Sequence, residues 1–477
     1  MKFIDDYELV CGLEVHVELK TATKIFCSCP TAFGAPPNTQ CCPVCSGMPG
    51  ALPVLNRKVV ELAVTAGLAL NCSVTRLSRE DRKNYFYPDL PKAYQISQFD
   101  LPLCTGGYVD ILSDGRQKRI KITRIHIEED AGKLIHDDSG TLIDLNRCGV
   151  PLIEIVSEPD IRSAAEAADY ARKLRSILLA AGVSDCRMNE GSLRCDVNLS
   201  VRKRGETALG TRTEMKNLNS FNYVEKAVEY EYRRQVELIK SGKKVVQETR
   251  RFDAASGKTF TMRVKENADD YRYFPDPDLP WISVGDEAIE RLRRALPKLP
   301  DERKTEYISL GLSTKDAEQL VSDPALYEFF DAAVRLTKYP KILANLILGE
   351  LLSLTDGEIK LEPGALAKVS QLFGDGIVNS STAKKLVRAI YDAAEAGKAI
   401  DPESYVQENN LAQIRDEGLL RGFVKEALDA DPKAAEAYKA GKTAAAKAIM
   451  GKIMAKTGGR GDPVILDRLL YEELGKL

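Results

Sequence analysis

Cys27, Cys29, Cys42 and Cys45 stand as a Cys-x-Cys pair, twelve intervening residues and a Cys-x-x-Cys pair. Four thiolates delivered from two short turns are what a closed tetrahedral site for one soft divalent ion requires, and zinc suits that spacing. Pro30, Pro36, Pro37, Pro43, Gly34 and Gly47 around them read as turn residues, a stretch that a metal clasp would make rigid. The alternative is reduced thiols packed as small hydrophobes, or labile redox cysteines. Cys41 is a fifth thiol beside Cys42 and leaves the fourth ligand ambiguous.

A second kind of chemistry lies in strand-like text. Gly12-Leu-Glu-Val-His-Val-Glu-Leu19 alternates strictly, so a strand here projects Glu14, His16 and Glu18 from one face and Val15 and Val17 from the other. An exposed polar face explains the alternation; a metal or acid/base site explains it equally, with a histidine between two carboxylates. Arg124-Ile-His-Ile-Glu-Glu-Asp-Ala-Gly-Lys133 runs a strand into three successive acids, Glu128, Glu129 and Asp130. Magnesium needs only one or two such groups plus phosphate oxygens, with Arg124 and Lys133 placed to neutralise phosphate charge. An ordinary acidic turn is the competing reading. Asp196 between Arg194 and Asn198, and Glu214 beside Lys216 and Asn217, set two further acids among cations and amides. Asn219 and Ser220 read as helix caps.

Lys439, Lys442, Lys447, Lys452, Lys456 and Arg460 follow one another with no acid between Tyr438 and Gly461. They form a local basic patch, read either as a nucleic-acid contact or as helix-surface lysines kept for solubility. No Gly-x-x-x-x-Gly-Lys-Ser/Thr loop, Gly-x-Gly-x-x-Gly turn or Gly-x-Ser-x-Gly elbow is present.

The elements that must position these residues change character along the 477-residue chain. Through about residue 290 short strand-like runs alternate with Gly and Pro turns and a few helices, as in an α+β domain. Ser163-Ala-Ala-Glu166 is a capping box opening one helix, and another runs from Asn219-Ser220 toward Gly242. Beyond Pro297-Lys-Leu-Pro300 nearly every segment reads as amphipathic helix, and Asp401-Pro402 opens a last helical module. The expected domains are 1–295, 296–402 and 403–477. All eleven cysteines and all three histidines fall at or before Cys195, so chemistry concentrates in the first half. The 68 basic and 70 acidic side chains leave a net charge of -2, so no global field draws a polyanion. No apolar run reaches membrane length and the first residues lack an apolar signal core, so a reducing cytoplasm is expected.

Taken together, these motifs resemble the GatB family, the B subunits of the aspartyl/glutamyl-tRNA amidotransferases, over essentially the whole chain. The resemblance is carried by Gly-Leu-Glu-Val-His-Val-Glu-Leu, the cysteine pairs leading into Leu55-Asn56, Lys83-Asn-Tyr-Phe-Tyr-Pro-Asp-Leu-Pro-Lys92, His126-Ile-Glu-Glu-Asp130, Asp144 to Val156, Lys216-Asn-Leu-Asn-Ser-Phe221 and Asp270-Tyr-Arg-Tyr-Phe-Pro275. It implies an α+β fold in which a large cradle-like mixed domain with a zinc-stapled loop precedes an all-helical domain and a small helical tail domain. It also implies a reaction: ATP phosphorylates the side-chain carboxylate of glutamate or aspartate mischarged on tRNA, and ammonia from a partner amidase (A) subunit displaces the phosphate. A small C subunit completes the implied complex. Residue by residue, the resemblance assigns Glu14, His16, Glu128, Glu129, Asp196 and Glu214 to catalysis. It gives magnesium to Glu14, His16, Glu129, Asp196 and Glu214, ATP or the acceptor end to Lys83, Tyr85, Tyr87, Arg124 and Lys133, and tRNA to the tail lysines. The competing reading is a zinc-stapled RNA-binding subunit that delivers tRNA and catalyses nothing.

Overall fold

The computed structural model describes residues 6–138, 140–264, 271–355, 358–439 and 444–476. The chain divides into two compact units, Met1–Pro300 and Asp301–Leu477.

The first unit is built on a ten-stranded sheet whose middle is the strand Tyr7–Glu18. On one side this strand pairs antiparallel with Pro151–Ser157, which pairs with Arg116–Glu129; on the other it pairs with Leu193–Lys203, then Thr213–Lys216. The next step, to Glu248–Asp253, is parallel, and Lys258–Val264 closes that edge. Alternation decides which face is which. Leu13, Val15 and Val17 are at most 1% exposed and join the core with Ile125, Ile127, Ile153, Ile155, Cys195 and Val197 of the neighbouring strands. Each such side chain contributes roughly 1.5–3 kcal/mol of burial, an upper estimate because denatured chains are already partly collapsed.

Two helices cover that apolar face, and both begin where side-chain caps allow. Ser163 Oγ accepts from the Glu166 amide at 3.1 Å and starts Ala164–Ala180. Glu166 closes the box one residue further back than expected, accepting from the Arg162 amide at 2.7 Å and from Lys118 Nζ at 2.6 Å. Ser220 caps Phe221–Lys240 by accepting from the Tyr223 amide at 3.1 Å. Tyr170, Leu174 and Leu178 from the first helix, and Val224, Val228 and Tyr232 from the second, fill the layer between them and the sheet. With the apolar face covered by these helices, the polar side chains of the same strands point to the other face.

The second unit is helical, as expected. Helices Pro324–Val334, Pro340–Gly349, Pro363–Gly374 and Pro402–Glu408 each start on proline, whose missing N–H costs nothing in a first turn. Glu417–Ala430, Ala444–Lys456 and Pro463–Lys476 enclose their own core of Leu420, Val424, Ile449, Ile453, Leu466 and Leu470. Among the described residues no helix is long and apolar enough to cross a membrane.

Candidate active site

Strand register turns distant text into neighbours. Glu14 lies opposite Asp196, and Asn198 opposite Glu214, so three carboxylates from three strands converge on the polar face. Ligand oxygens of Glu14, Asp196 and Glu214 all lie within 4.8 Å of one another. Each acid is oriented by a neighbour. Asn198 Nδ2 donates to Glu14 Oε1 at 2.9 Å, and Thr249 Oγ1 donates to Glu214 Oε2 at 2.8 Å. Lys216 Nζ lies against Asp196 and 3.3 Å from Glu214 Oε1. Burial would drive the Lys216 ammonium toward neutrality, but Asp196 and then Glu214 overrule it and raise its pKa. An oxygen-only trio this close, already holding one cationic head group, fits a hard divalent ion such as magnesium.

One register step away His16 faces Glu154, and Glu154 faces His126 on the next strand. His16 Nε2 is 3.5 Å from both Glu128 Oε1 and Glu154 Oε2; His126 Nε2 is 3.3 Å from Glu154 Oε2 and 3.6 Å from Glu128 Oε2. Burial alone would lower the His16 pKa, but Glu154, then Glu128 and Asp196, raise it to about 9. His126 is raised in the same way, and against their own burial Glu154 is held well below the usual carboxylate range by both histidines and Glu128 is lowered chiefly by His126. The two carboxylates therefore favour a proton on each imidazole, and a metal ion taking His16 as ligand would have to displace that proton. His16, Glu128 and Glu154 also bring one nitrogen and two oxygens within 4.8 Å, a second mixed donor set for a divalent ion.

The expected cation and aromatic residues divide. Lys83 Nζ sits 4.8 Å above the Tyr271 ring, and Tyr273, Glu128 and Glu154 keep its ammonium charged against burial. Tyr85 packs edge-on against Tyr271 at 6.2 Å, with burial, Asp89 and Glu128 raising its phenol. Arg124 Nη1 donates to the Phe99 carbonyl at 3.0 Å. Tyr87, 55% exposed, and Lys133, at the exposed start of the hairpin Lys133–Asp137/Gly140–Asp144, make no ion pair or hydrogen bond with either carboxylate group among the described residues.

Glu129, expected beside His16, is not brought there. It follows Glu128 on a strand and so points to the opposite face. Its carboxylate accepts from Lys92 Nζ at 2.6 Å and from the Ile96 amide at 2.9 Å. It lines a cavity of about 130 Å3 shared with Cys45, Met48 and Tyr94. Glu154 and His126 are the two members that the sequence does not single out, although His126 stands in the His126-Ile-Glu-Glu-Asp130 motif. The signal for Glu154 is a lone acid in the apolar run Pro151-Leu-Ile-Glu-Ile-Val156, whose meaning depends on which strands flank it.

The cysteine quartet does converge: sulfurs of Cys27, Cys29, Cys42 and Cys45 lie within 4.8 Å of one another. Cys42 and Cys45 sulfurs are 3.9 Å apart, close to the roughly 3.8 Å edge of a tetrahedron with ~2.3 Å zinc–sulfur bonds. The Cys42 amide at 3.2 Å and Lys24 Nζ at 3.6 Å donate to the Cys45 sulfur, as a thiolate needs. Cys41, 3.8 Å from Asn146 Oδ1, lies near Cys45 but outside the group of four mutually close sulfurs, which favours Cys42 over Cys41 as the fourth ligand. Gly149, at φ +77, lets the chain pass beside Cys45 and Lys24 in a conformation that side chains resist.

In the tail, tertiary structure supplies acids that the local text lacks. Lys452 Nζ pairs with Asp431 at 2.5 Å and Lys456 Nζ with Glu426 at 2.9 Å, while Arg460 Nη1 donates to the Asn410 carbonyl at 2.6 Å. Lys447 is exposed. Lys442 and the side chain of Lys439 lie outside the described residues.

Comparison with known proteins covers nearly the whole chain. The GatB/GatE catalytic domain matches residues 9–290 and the GatB domain matches residues 328–474. The aspartyl/glutamyl-tRNA(Asn/Gln) amidotransferase B subunit of Caldicellulosiruptor saccharolyticus is 52% identical, covering 99% of this chain and 100% of its own. Those of Caldanaerobacter subterraneus (50% identical, 98% and 100%) and Brevibacillus brevis (49% identical, 99% and 99%) are similar over the same extent.

Proposed function

Since the chain belongs to the family of aspartyl/glutamyl-tRNA(Asn/Gln) amidotransferase B subunits, we propose that its polar sheet face activates a carboxylate with ATP and then amidates it. The observation that carries this reading is the pair of acid groups side by side on one face, Glu14, Asp196 and Glu214 next to His16, Glu128 and Glu154.

A carboxylate resists ammonia because oxide is a poor leaving group. In the proposed first step a substrate carboxylate oxygen bonds to the γ-phosphorus of ATP as the bond from that phosphorus to the β,γ-bridging oxygen breaks, releasing ADP. In the second, ammonia bonds to the acyl carbon, the carbon–oxygen bond to phosphate breaks, and the proton lost from nitrogen leaves with the phosphate. Magnesium held by Glu14, Asp196 and Glu214 would neutralise developing phosphate charge. Lys216 would then release its carboxylate partners and turn its ammonium to the phosphate oxygens. Lys83, fixed over Tyr271 on a neighbouring small sheet, adds a second cation within the field of Glu128 and Glu154, and Ser97, whose hydroxyl donates to Glu128 Oε2 at 3.4 Å, steadies Glu128. Zinc in the cysteine quartet would clasp the loop that contributes Cys45 and Met48 to the cavity behind Glu129. Ammonia from a partner amidase subunit and a mischarged Glu-tRNA(Gln) or Asp-tRNA(Asn) complete the proposed reaction, with the tail domain as tRNA contact, in the cytoplasm.

A non-catalytic delivery subunit has no use for inward acids, because carboxylates repel phosphates. Glu128→Gln, assembled with its partner subunits, is expected to bind mischarged tRNA normally and to lose ATP-dependent amidation; full activity would remove this reading.

A further inference from the structure

A cavity of about 290 Å3 opens around Arg79, Phe99, Asp100, Arg272, Tyr273 and Phe274, none of which the reaction above uses. Its construction is that of a stacking site. Phe99 and Tyr273 lie ring on ring, 4.3 Å apart at 10°, and Phe99 and Phe274 remain 39% and 44% exposed, open to a further flat ring. The Phe99 backbone is held at both ends, its amide donating to Asp81 Oδ2 at 2.8 Å and its carbonyl accepting from Arg124 at 3.0 Å. Arg79 is braced by Asp81 at 3.1 Å and Asp100 at 3.0 Å. Arg272 is different. Its backbone sits at φ +45, a conformation that side chains resist. Asn84 Nδ2 holds it there by donating to the Arg272 carbonyl at 2.7 Å and the Tyr271 carbonyl at 3.3 Å. The outcome is an exposed guanidinium at the cavity with no ion-pair partner among the described residues.

Open aromatic faces beside an arginine and carboxylates match one ligand chemistry: a flat heteroaromatic base with an adjoining phosphate, its amino groups donating to acids such as Asp100. The volume falls at the small end of ligand pockets, roughly 300 Å3 upward, enough for a base but not for a whole nucleotide. Tyr273 also joins the cavity to the carboxylate face, because its phenol lies in the field of Lys83, Glu128 and Glu154. We propose that this cavity is a nucleobase pocket, stacking one base on the open faces of Phe99 and Phe274, with Tyr273 backing the Phe99 ring, and meeting its phosphate with Arg272. This rests on the reading above, which supplies two sources of such a base: ATP, or the unpaired 3′ end of the substrate RNA.

The test is calorimetric titration of the full chain with magnesium ATP and, separately, with an RNA hairpin ending in an unpaired 3′ strand. Two variants suffice. Arg272→Gly removes the guanidinium while giving that backbone the residue it favours, so it should fold at least as well as the parent. Tyr273→Ala removes a ring, with Tyr273→Phe as the control that keeps it. The expected result is a Kd raised roughly tenfold or more in Tyr273→Ala, and raised in Arg272→Gly, with Tyr273→Phe unchanged. A rise for ATP names ATP as the source of the base, and a rise for the hairpin names the RNA end. Unchanged binding of both ligands in both variants overturns the pocket. Turnover is a separate readout: full amidation by Glu128→Gln would end the proposed activation chemistry and leave these binding results to judge the pocket alone.

Discussion

Asp196 stands at the crossing of both donor sets, sharing a cluster with Glu14 and Glu214 while its charge also helps hold the His16 proton. Asp196→Asn keeps the shape and removes the charge, so amidation should fall by ~100-fold or more in a steady-state assay with tRNA binding intact. The His16 proton offers a direct check. Its folded pKa of about 9 exceeds the ordinary value of about 6.5, so the pairing stabilises fully below about 6.5 and is lost as pH rises through about 9. Histidine-selective NMR of metal-free protein should show this late titration, and Glu154→Gln should bring it down. At the cysteines, metal analysis should find about one zinc per chain. Cys45→Ser should lose it and Cys41→Ser keep it, because Cys45 and not Cys41 belongs to the four mutually close sulfurs.

The strand that presents Glu214 on the front of the sheet is anchored from behind by helix Phe221–Lys240. Glu231 of that helix is fully buried and accepts from Arg234 at 2.6 and 2.8 Å, Gln235 at 3.0 Å, and the Thr213 and Thr259 hydroxyls at 3.0 Å. Burial would raise its pKa, but Arg234, then Gln235 and Arg250, lower it. A carboxyl depressed below its unfolded value stabilises above that value, about 4.3, and loses the contribution as pH falls through the folded one. Glu231→Ala leaves arginines facing a void and should cost roughly 3–5 kcal/mol at neutral pH, with the gap to the parent narrowing below about pH 4. Trp281, the single tryptophan, lies in the first unit, so its fluorescence during urea denaturation reads the relevant transition.

Across the whole molecule, the tail separates what local text implies from what folding produces. The run from Tyr438 to Gly461 is uniformly basic, yet Asp431 and Glu426 return to pair with Lys452 and Lys456. Exposed pairs of this kind are worth about 0–1 kcal/mol, little enough for phosphates to displace. Lys447→Glu is expected to weaken tRNA binding and to flatten its salt dependence by about one unit of log–log slope, and an unchanged slope would take that lysine out of the interface. The alternation of Glu14-Val-His-Val-Glu18, the caps at Ser163 and Ser220, the cysteine spacing and the family were all legible in the chain before folding, because each is written in residues near one another or in ordered motifs. Folding alone brought His16 to Glu128 and Glu154 instead of Glu129, and Glu14 to Asp196 and Glu214. Those contacts depend on strand order and register, and a shift of a single residue would send every one of these side chains to the opposite face of the sheet.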